Sequence, residues 1–475
     1  MFGFLEDRLG IASVFRSSMS GKLPPKGIGY LRTIGFAVLT VMILQFLSGL
    51  ALAFHYVPTA DLAYDSIRAF EEDIVWGSMV RSMHHFGASM FVVFVVVHMM
   101  RVYFTGAYKR PREFTWLTGV GLFLIVLAFG FTGYLLPWDQ KAYFATKVGT
   151  EIASDTPLIG AQVRDILRGG VDVGQPTLTR FYIIHVVLLP IALLGLLGLH
   201  FYLIQRHGVA APGRMVGDEG EPGLPYYPHH TFKEALVGVV VAGGLFWLSS
   251  TYRAPLEALA EPSDTSYYPR PDWYFLGLFY LLKIFTSSRE IGTFWIPTGF
   301  VVALALLPFV DRGAHRHWRR RWIMTPLGVL VCAAVATLTV LGFLDDPNKN
   351  AEGDPSTSQA AAESKHQETL PFPLGLTDME RHGYLLFRRM KCLRCHTYHK
   401  DGVTYSIPDP LIDPKKREDF PFLEDLETET IEDVAGVLEE GSGEDMPAFP
   451  NLSAQDRLAV GAFVRYIIKD AEKDR

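Results

Sequence analysis

Cysteine is scarce: three in 475 residues, at positions 332, 392 and 395, which excludes a disulfide framework. The net charge of −6 argues against nucleic acid as a partner. Charged residues make up only 20% of the chain and are thinnest in its long apolar runs. No charged relay crosses those runs, which disfavours a transporter or a sensor. No short cleavable signal leads the chain; residues 1–33 are mixed and basic, read as a cytoplasmic amphipathic segment running into an uncleaved apolar stretch.

Half of the residues, 49%, are hydrophobic, too many for a soluble chain of this length with one core. Seven stretches are long enough to cross a bilayer: 34–54, 78–104, 117–136, 181–204, 232–250, 291–310 and 323–344. The spacing predicts an all-α fold, a seven-span bundle with a small all-α extramembrane domain after it. Basic residues gather before the first span, at Arg101, Lys109, Arg110 and Arg112, at Arg206 and Arg214, and from Arg312 to Arg321. Cytoplasmic loops carry such an excess, so the N-terminus is expected inside and the end of the seventh span outside.

The second span holds His84 and His98, fourteen residues apart. At ~100° and ~1.5 Å per residue they share one helix face about 21 Å apart. The fourth span holds His185 and His200 at similar depths. Ionisable groups inside a bilayer are costly, and two imidazoles facing each other near each membrane surface suit the axial positions of two electron-carrying haems. The fifteen-residue interval on the fourth span leaves its histidines ~60° apart, so a local distortion of that helix is required.

Gly35 and Gly49 on the first span, and Gly119 and Gly133 on the third, repeat the fourteen-residue spacing. Glycine lets a flat macrocycle lie against backbone, although it is also common in membrane helices. Arg81 and Arg101 flank the histidines and are candidates for haem propionates or for interfacial snorkelling. On the outer side, Tyr134, Pro137 and Trp138 end the third span, while Pro271, Asp272, Trp273 and Tyr274 precede an apolar run, 273–285, too short to span. Two proline-stiffened aromatic loops there can form a pocket in which a carboxylate accepts a proton from a hydroquinone.

Residues 346–373 carry few large apolar side chains and read as a flexible linker, with a reach of roughly 30 Å and an effective concentration on the order of mM. The domain at 374–475 contains Cys392-Leu393-Arg394-Cys395-His396, the pattern of covalent haem c attachment. His396 would bind iron and Met446 is the expected sixth ligand, ahead of His399 and His382. A zinc or thioredoxin-like reading lacks further cysteines and a βαβ pattern. Helices over 378–390 and 453–469 should flank that haem, whose attachment outside the cytoplasm agrees with seven crossings.

Taken together, RSMHHFGASM, HMMRVYFTG, PREFTWLTGV, TGYLLPWDQ, TLTRFYIIH and PDWY resemble, in order, a cytochrome b of the quinol-oxidising cytochrome bc complexes. Residues 34–215 are similar to the short plastid-type protein, a four-helix dihaem domain, and 216–345 to its subunit IV, fused here. The C-terminal part resembles a class I cytochrome c at Gly383, the haem-attachment run and Met446-Pro447. The resemblance implies a respiratory quinol:cytochrome c reductase subunit with two haem b and one haem c, quinol (menaquinol or ubiquinol) as substrate, and coupled proton translocation. Electrons would divide between a Rieske iron–sulfur protein and the b haems. No Rieske cysteine–histidine pattern occurs, so that partner is another chain, with a soluble cytochrome or terminal oxidase downstream. A homodimer in a bacterial cytoplasmic membrane is implied as well.

By the same resemblance Asp272 stands where most members carry glutamate and takes the quinol proton beside Tyr274. Leu31 occupies the position of the plastid-type cysteine, which excludes a covalent haem there. Gln205 replaces a basic residue of the inner quinone site, leaving Arg206 as its candidate. The competing reading is a dihaem conduit linking quinone to another enzyme without bifurcation; it needs no outer quinol pocket, so residues 271–274 separate the two.

Overall fold

The computed structural model describes residues 29–211, 213–218, 221, 223, 226–262, 267–268, 270–345, 376–389, 398–400, 403–405, 430–440 and 452–473. Two compact units emerge, residues 1–345 and 346–475.

In the first unit seven helices have the length and apolar composition of membrane spans: Ile34–Ala53, Gly77–Phe104, Glu113–Tyr134, Gln175–His207, Tyr226–Thr251, Ile291–Val310 and Met324–Leu344. The protein is therefore a multi-pass membrane protein, with every expected span in its place. Large apolar side chains remain on the outer surface of the bundle, Val239, Val240, Phe246 and Trp247 among them. That is the pattern of helices solvated by lipid, where backbone hydrogen bonds close within each helix.

The first span packs along the second, the third along the fourth, and the fifth against the first and second. Ala37, Val41, Met42, Phe91, Val92, Val95, Val126, Leu193 and Val241 form the core between the two histidine levels. Small and β-branched residues dominate that seam, which brings the backbones close.

The fourth span is not a uniform α-helix. Residues Ile184–Leu188 form a π-turn around His185, and Pro190 follows two residues after it. A π-turn holds one extra residue, which absorbs the surplus in the fifteen-residue interval and turns both histidines to the second span. This is the distortion that the spacing required.

Three helices in the loops between spans were not legible as elements: Ala63–Asp73, Gln140–Ser154 and Gly160–Arg168. Asp139 caps the second of them, its carboxylate accepting from Ala142 N at 2.8 Å. The short run expected at 273–285 is a helix, Trp273–Ile284, packed on the seventh span.

The second unit has helices Asp378–Arg389, Ile431–Glu440 and Ala454–Lys473, and one three-residue antiparallel hairpin, Tyr398–Lys400 with Val403–Tyr405. Tyr384, Phe387 and Phe463 form its buried aromatic centre. A Cβ on Gly383 would sit 1.8 Å from Ala459 O, so this crossing of the first and last helices admits only glycine. Cys392, Cys395, His396 and Met446 lie outside the described residues. His382, a secondary ligand candidate, is instead half-exposed, with Nε2 2.7 Å from Asp456 Oδ1.

Candidate functional site

The four span histidines meet in two pairs. In one pair the rings of His84 and His185 lie 6.3 Å apart between centroids. Two imidazole–metal bonds of about 2 Å, plus about 1.1 Å from each nitrogen to its ring centre, require about 6.2 Å, so the gap fits one metal ion between the rings.

Hydroxyl groups fix the orientation of three rings. Ser48 Oγ lies 3.0 Å from His84 Nδ1, Thr132 Oγ1 3.1 Å from His185 Nδ1, and Thr118 Oγ1 2.8 Å from His200 Nδ1. Each hydroxyl donates its single proton to a carbonyl of its own helix: Leu44 O, Ala128 O and Thr115 O respectively. It must therefore accept from Nδ1–H, which leaves Nε2 with a free lone pair for a ligand. These residues escaped the sequence reading although the signal was present: a serine or threonine immediately precedes Gly49, Gly119 and Gly133.

All four glycines abut histidine rings. A Cβ would stand 2.6 Å from His185 Cε1 at Gly133, 3.0 Å from His84 at Gly49, 3.3 Å from His98 at Gly35 and 3.6 Å from His200 at Gly119. Gly133→Ala should thus displace its imidazole, while at Gly119 the contact is an ordinary one. The expected result is a larger loss of b haem from Gly133→Ala than from Gly119→Ala, read from the reduced-minus-oxidised spectrum; the reverse order would count against this packing.

Arg81 and Arg101 differ. Arg81 is buried, donating Nη1 to Glu71 Oε1 at 2.7 Å and to Ala254 O at 3.0 Å, and Nη2 to Pro255 O at 2.7 Å. A propionate would have to share it with the protein. Arg101 has a buried Nε with no hydrogen-bond partner among the described residues. Near it are Arg32, Arg112 and Arg316, none of them foreseen. Burial and the charges of Arg101, Arg112 and Arg316 bring Arg32 down to about 9. This concentration of positive charge suits a dianionic group, so the His98–His200 level fits a haem and its propionates. Arg206 is exposed in the last turn of the fourth span, and it is Arg112 that donates to His207 O and Gly208 O, at 3.0 and 2.9 Å.

A cavity of ≈ 390 Å³ opens beside the His84–His185 pair, lined by these two residues, Tyr134, Pro137, Asp272 and Tyr274, with Lys141 and Glu257. Asp272 Oδ1 pairs with Lys141 Nζ at 2.8 Å and Oδ2 accepts from Tyr274 OH at 3.4 Å. Glu257 accepts from Tyr267 OH at 2.8 Å, and burial pushes its carboxyl and that of Asp139 above their usual values. Three expected residues do not line this cavity: Trp138, Pro271 and Trp273. Trp138 has a φ of 55°, a left-handed turn that carries its indole into the core against Tyr143. Trp273 donates Nε1 to Ser89 Oγ at 3.2 Å and packs on the central seam.

Comparison with known proteins gives the same outline. The family model described as Cytochrome b/b6/petB matches residues 19–208, and that described as Cytochrome b(C-terminal)/b6/petD matches 259–351. The menaquinol:cytochrome c reductase cytochrome b subunit of Bacillus subtilis (strain 168) is 43% identical over 219 residues, 45% of this chain and 98% of that one. The cytochrome b/c1 of Bradyrhizobium diazoefficiens is 33% identical over 344 residues, 69% of this chain and 49% of that protein. A solved structure of a hyperthermophilic respiratory Complex III superposes with a TM-score of 0.65 at 27% identity, covering 74% of this chain and 93% of that one.

Proposed function

The chain belongs to the cytochrome b family, and from that premise we propose that it is the cytochrome b subunit of a proton-translocating quinol:cytochrome c reductase, with a cytochrome c domain fused after residue 373. Its domains run 34–215, 216–345 and 374–475. His84 with His185 and His98 with His200 would hold two b haems, which when bound carry single electrons reversibly. Gly35, Gly49, Gly119 and Gly133 would leave the macrocycles room, and Arg101 would meet a propionate. Cys392, Cys395, His396 and Met446 would hold a covalent haem c.

Quinol is oxidised in the outer cavity. Asp272, with Tyr274 on its second oxygen, takes a proton from the quinol hydroxyl. A Rieske iron–sulfur protein would take one electron of each quinol and the bound b haems would supply the acceptor for the other, with the protons released on the outer side. The complex sits as a homodimer in a bacterial cytoplasmic membrane, N-terminus inside.

The observation that carries this reading is the 6.3 Å histidine gap, with both Nδ1 atoms hydrogen-bonded, in the wall of the cavity that holds Asp272 and Tyr274. Pyridine haemochrome analysis of the purified complex should return two haem b for each haem c carried by this chain. A ratio of one to one would break the paired-histidine assignment.

A further inference from the structure

Lys141 has no role in the reaction as described so far. It occupies the second position of the helix Gln140–Ser154, where the helix dipole disfavours a cation, so helix stability does not account for it. Its Nζ instead reaches across 131 residues of sequence to Asp272 Oδ1, at 2.8 Å, and lies 5.4 Å from the centre of the Tyr134 ring. Both members of the ion pair are largely sheltered, with side chains 27% and 19% exposed. The carboxylate thus has one donor on each oxygen, Lys141 on Oδ1 and Tyr274 on Oδ2. Arg81, His85, Asp139 and Glu257 are among the other ionisable groups lining this cavity, with Tyr56 and Tyr182.

We propose that Lys141 is a positioning residue for quinol oxidation, holding the Asp272 carboxylate against the cavity wall and releasing it once it has taken the quinol proton. The inference rests on the role given to Asp272 above. In the step concerned the quinol O–H bond breaks, the proton passes to an Asp272 oxygen, and the electron passes to the iron–sulfur acceptor; Lys141 keeps its three protons. The product is a neutral acid that no longer attracts the ammonium. Lys141 then stays over the Tyr134 ring, and Asp272 is free to turn out of the cavity and discharge its proton. The pair therefore exists only while Asp272 is ready to accept, which couples the position of the base to its charge.

The test uses the purified complex, with haem spectra confirming assembly, and compares Lys141→Gln, Asp272→Asn, the double variant and Lys141→Arg. Lys141→Gln should lower kcat by roughly 10- to 100-fold, the cost of a misplaced reactive group, and move KM by no more than about twofold. Added to Asp272→Asn, the same change should do nothing further, and Lys141→Arg should restore most of the rate. Lys141→Met, which keeps the apolar stem, replaces the glutamine variant if that one fails to assemble. An unchanged rate in the single variant, or an equal loss in the Asp272→Asn background, overturns the proposal while leaving Asp272 in place. A normal rate for Asp272→Asn alone would instead overturn the role of Asp272 on which the proposal stands.

Discussion

Replacing His185 with leucine should halve the b-haem content, from two per chain to one, and abolish quinol oxidation. The residue faces His84 across the 6.3 Å gap, and the π-turn at Ile184–Leu188 surrounds it. Leucine fills a similar volume, so the helix and its packing survive. It offers no lone pair, and Thr132 loses the Nδ1–H that it accepts. The inner pair, His98 and His200, sits on other turns of the same helices and keeps its haem. The check is haem stoichiometry together with the steady-state rate. Retention of two b haems would show that His185 is not an axial ligand.

Asp272→Asn should leave haem content unchanged and slow quinol oxidation by about 10²-fold or more, the usual contribution of a positioned general base. Asparagine keeps the size of the side chain and can still accept from Tyr274, but it takes up no proton and leaves Lys141 without its ionic partner. Asp272→Glu restores a carboxylate and should recover a large part of the rate. Turnover with a soluble quinol analogue, measured beside haem spectra, separates the cases. An unaffected rate would remove Asp272 from the chemistry.

These residues differ in how far the sequence revealed them. The four histidines and four glycines were legible because helical periodicity turns spacing into geometry. Even the π-turn could be anticipated, since fifteen residues do not return to the same face. Ser48, Thr118 and Thr132 stood in view beside the glycines, but a hydroxyl next to a glycine acquires meaning only when a second helix brings an imidazole within 3 Å or so. Lys141 and Arg112 were beyond reach for a related reason. Their partners, Asp272 and the carbonyls at 207 and 208, are far away in the chain, and no local pattern specifies such pairs. Trp138 and Trp273 lie off the cavity that their loops border, because one positive φ and one hydrogen bond to Ser89 turn both side chains into the core. The short outer helices, Ala63–Asp73 among them, were obscured by lying between far stronger apolar signals.

The division of electrons at the outer cavity is the central claim to test. Oxidant-induced reduction measures it: the intact complex is given quinol with its inner quinone site blocked, then pulsed with an oxidant, while the b-haem absorbance is followed. The account predicts that the b haems become more reduced when oxidant is added, because removing one electron toward the iron–sulfur protein forces the other onto them. If the b haems only become oxidised, electrons flow in a single line and the bifurcation proposed here is contradicted.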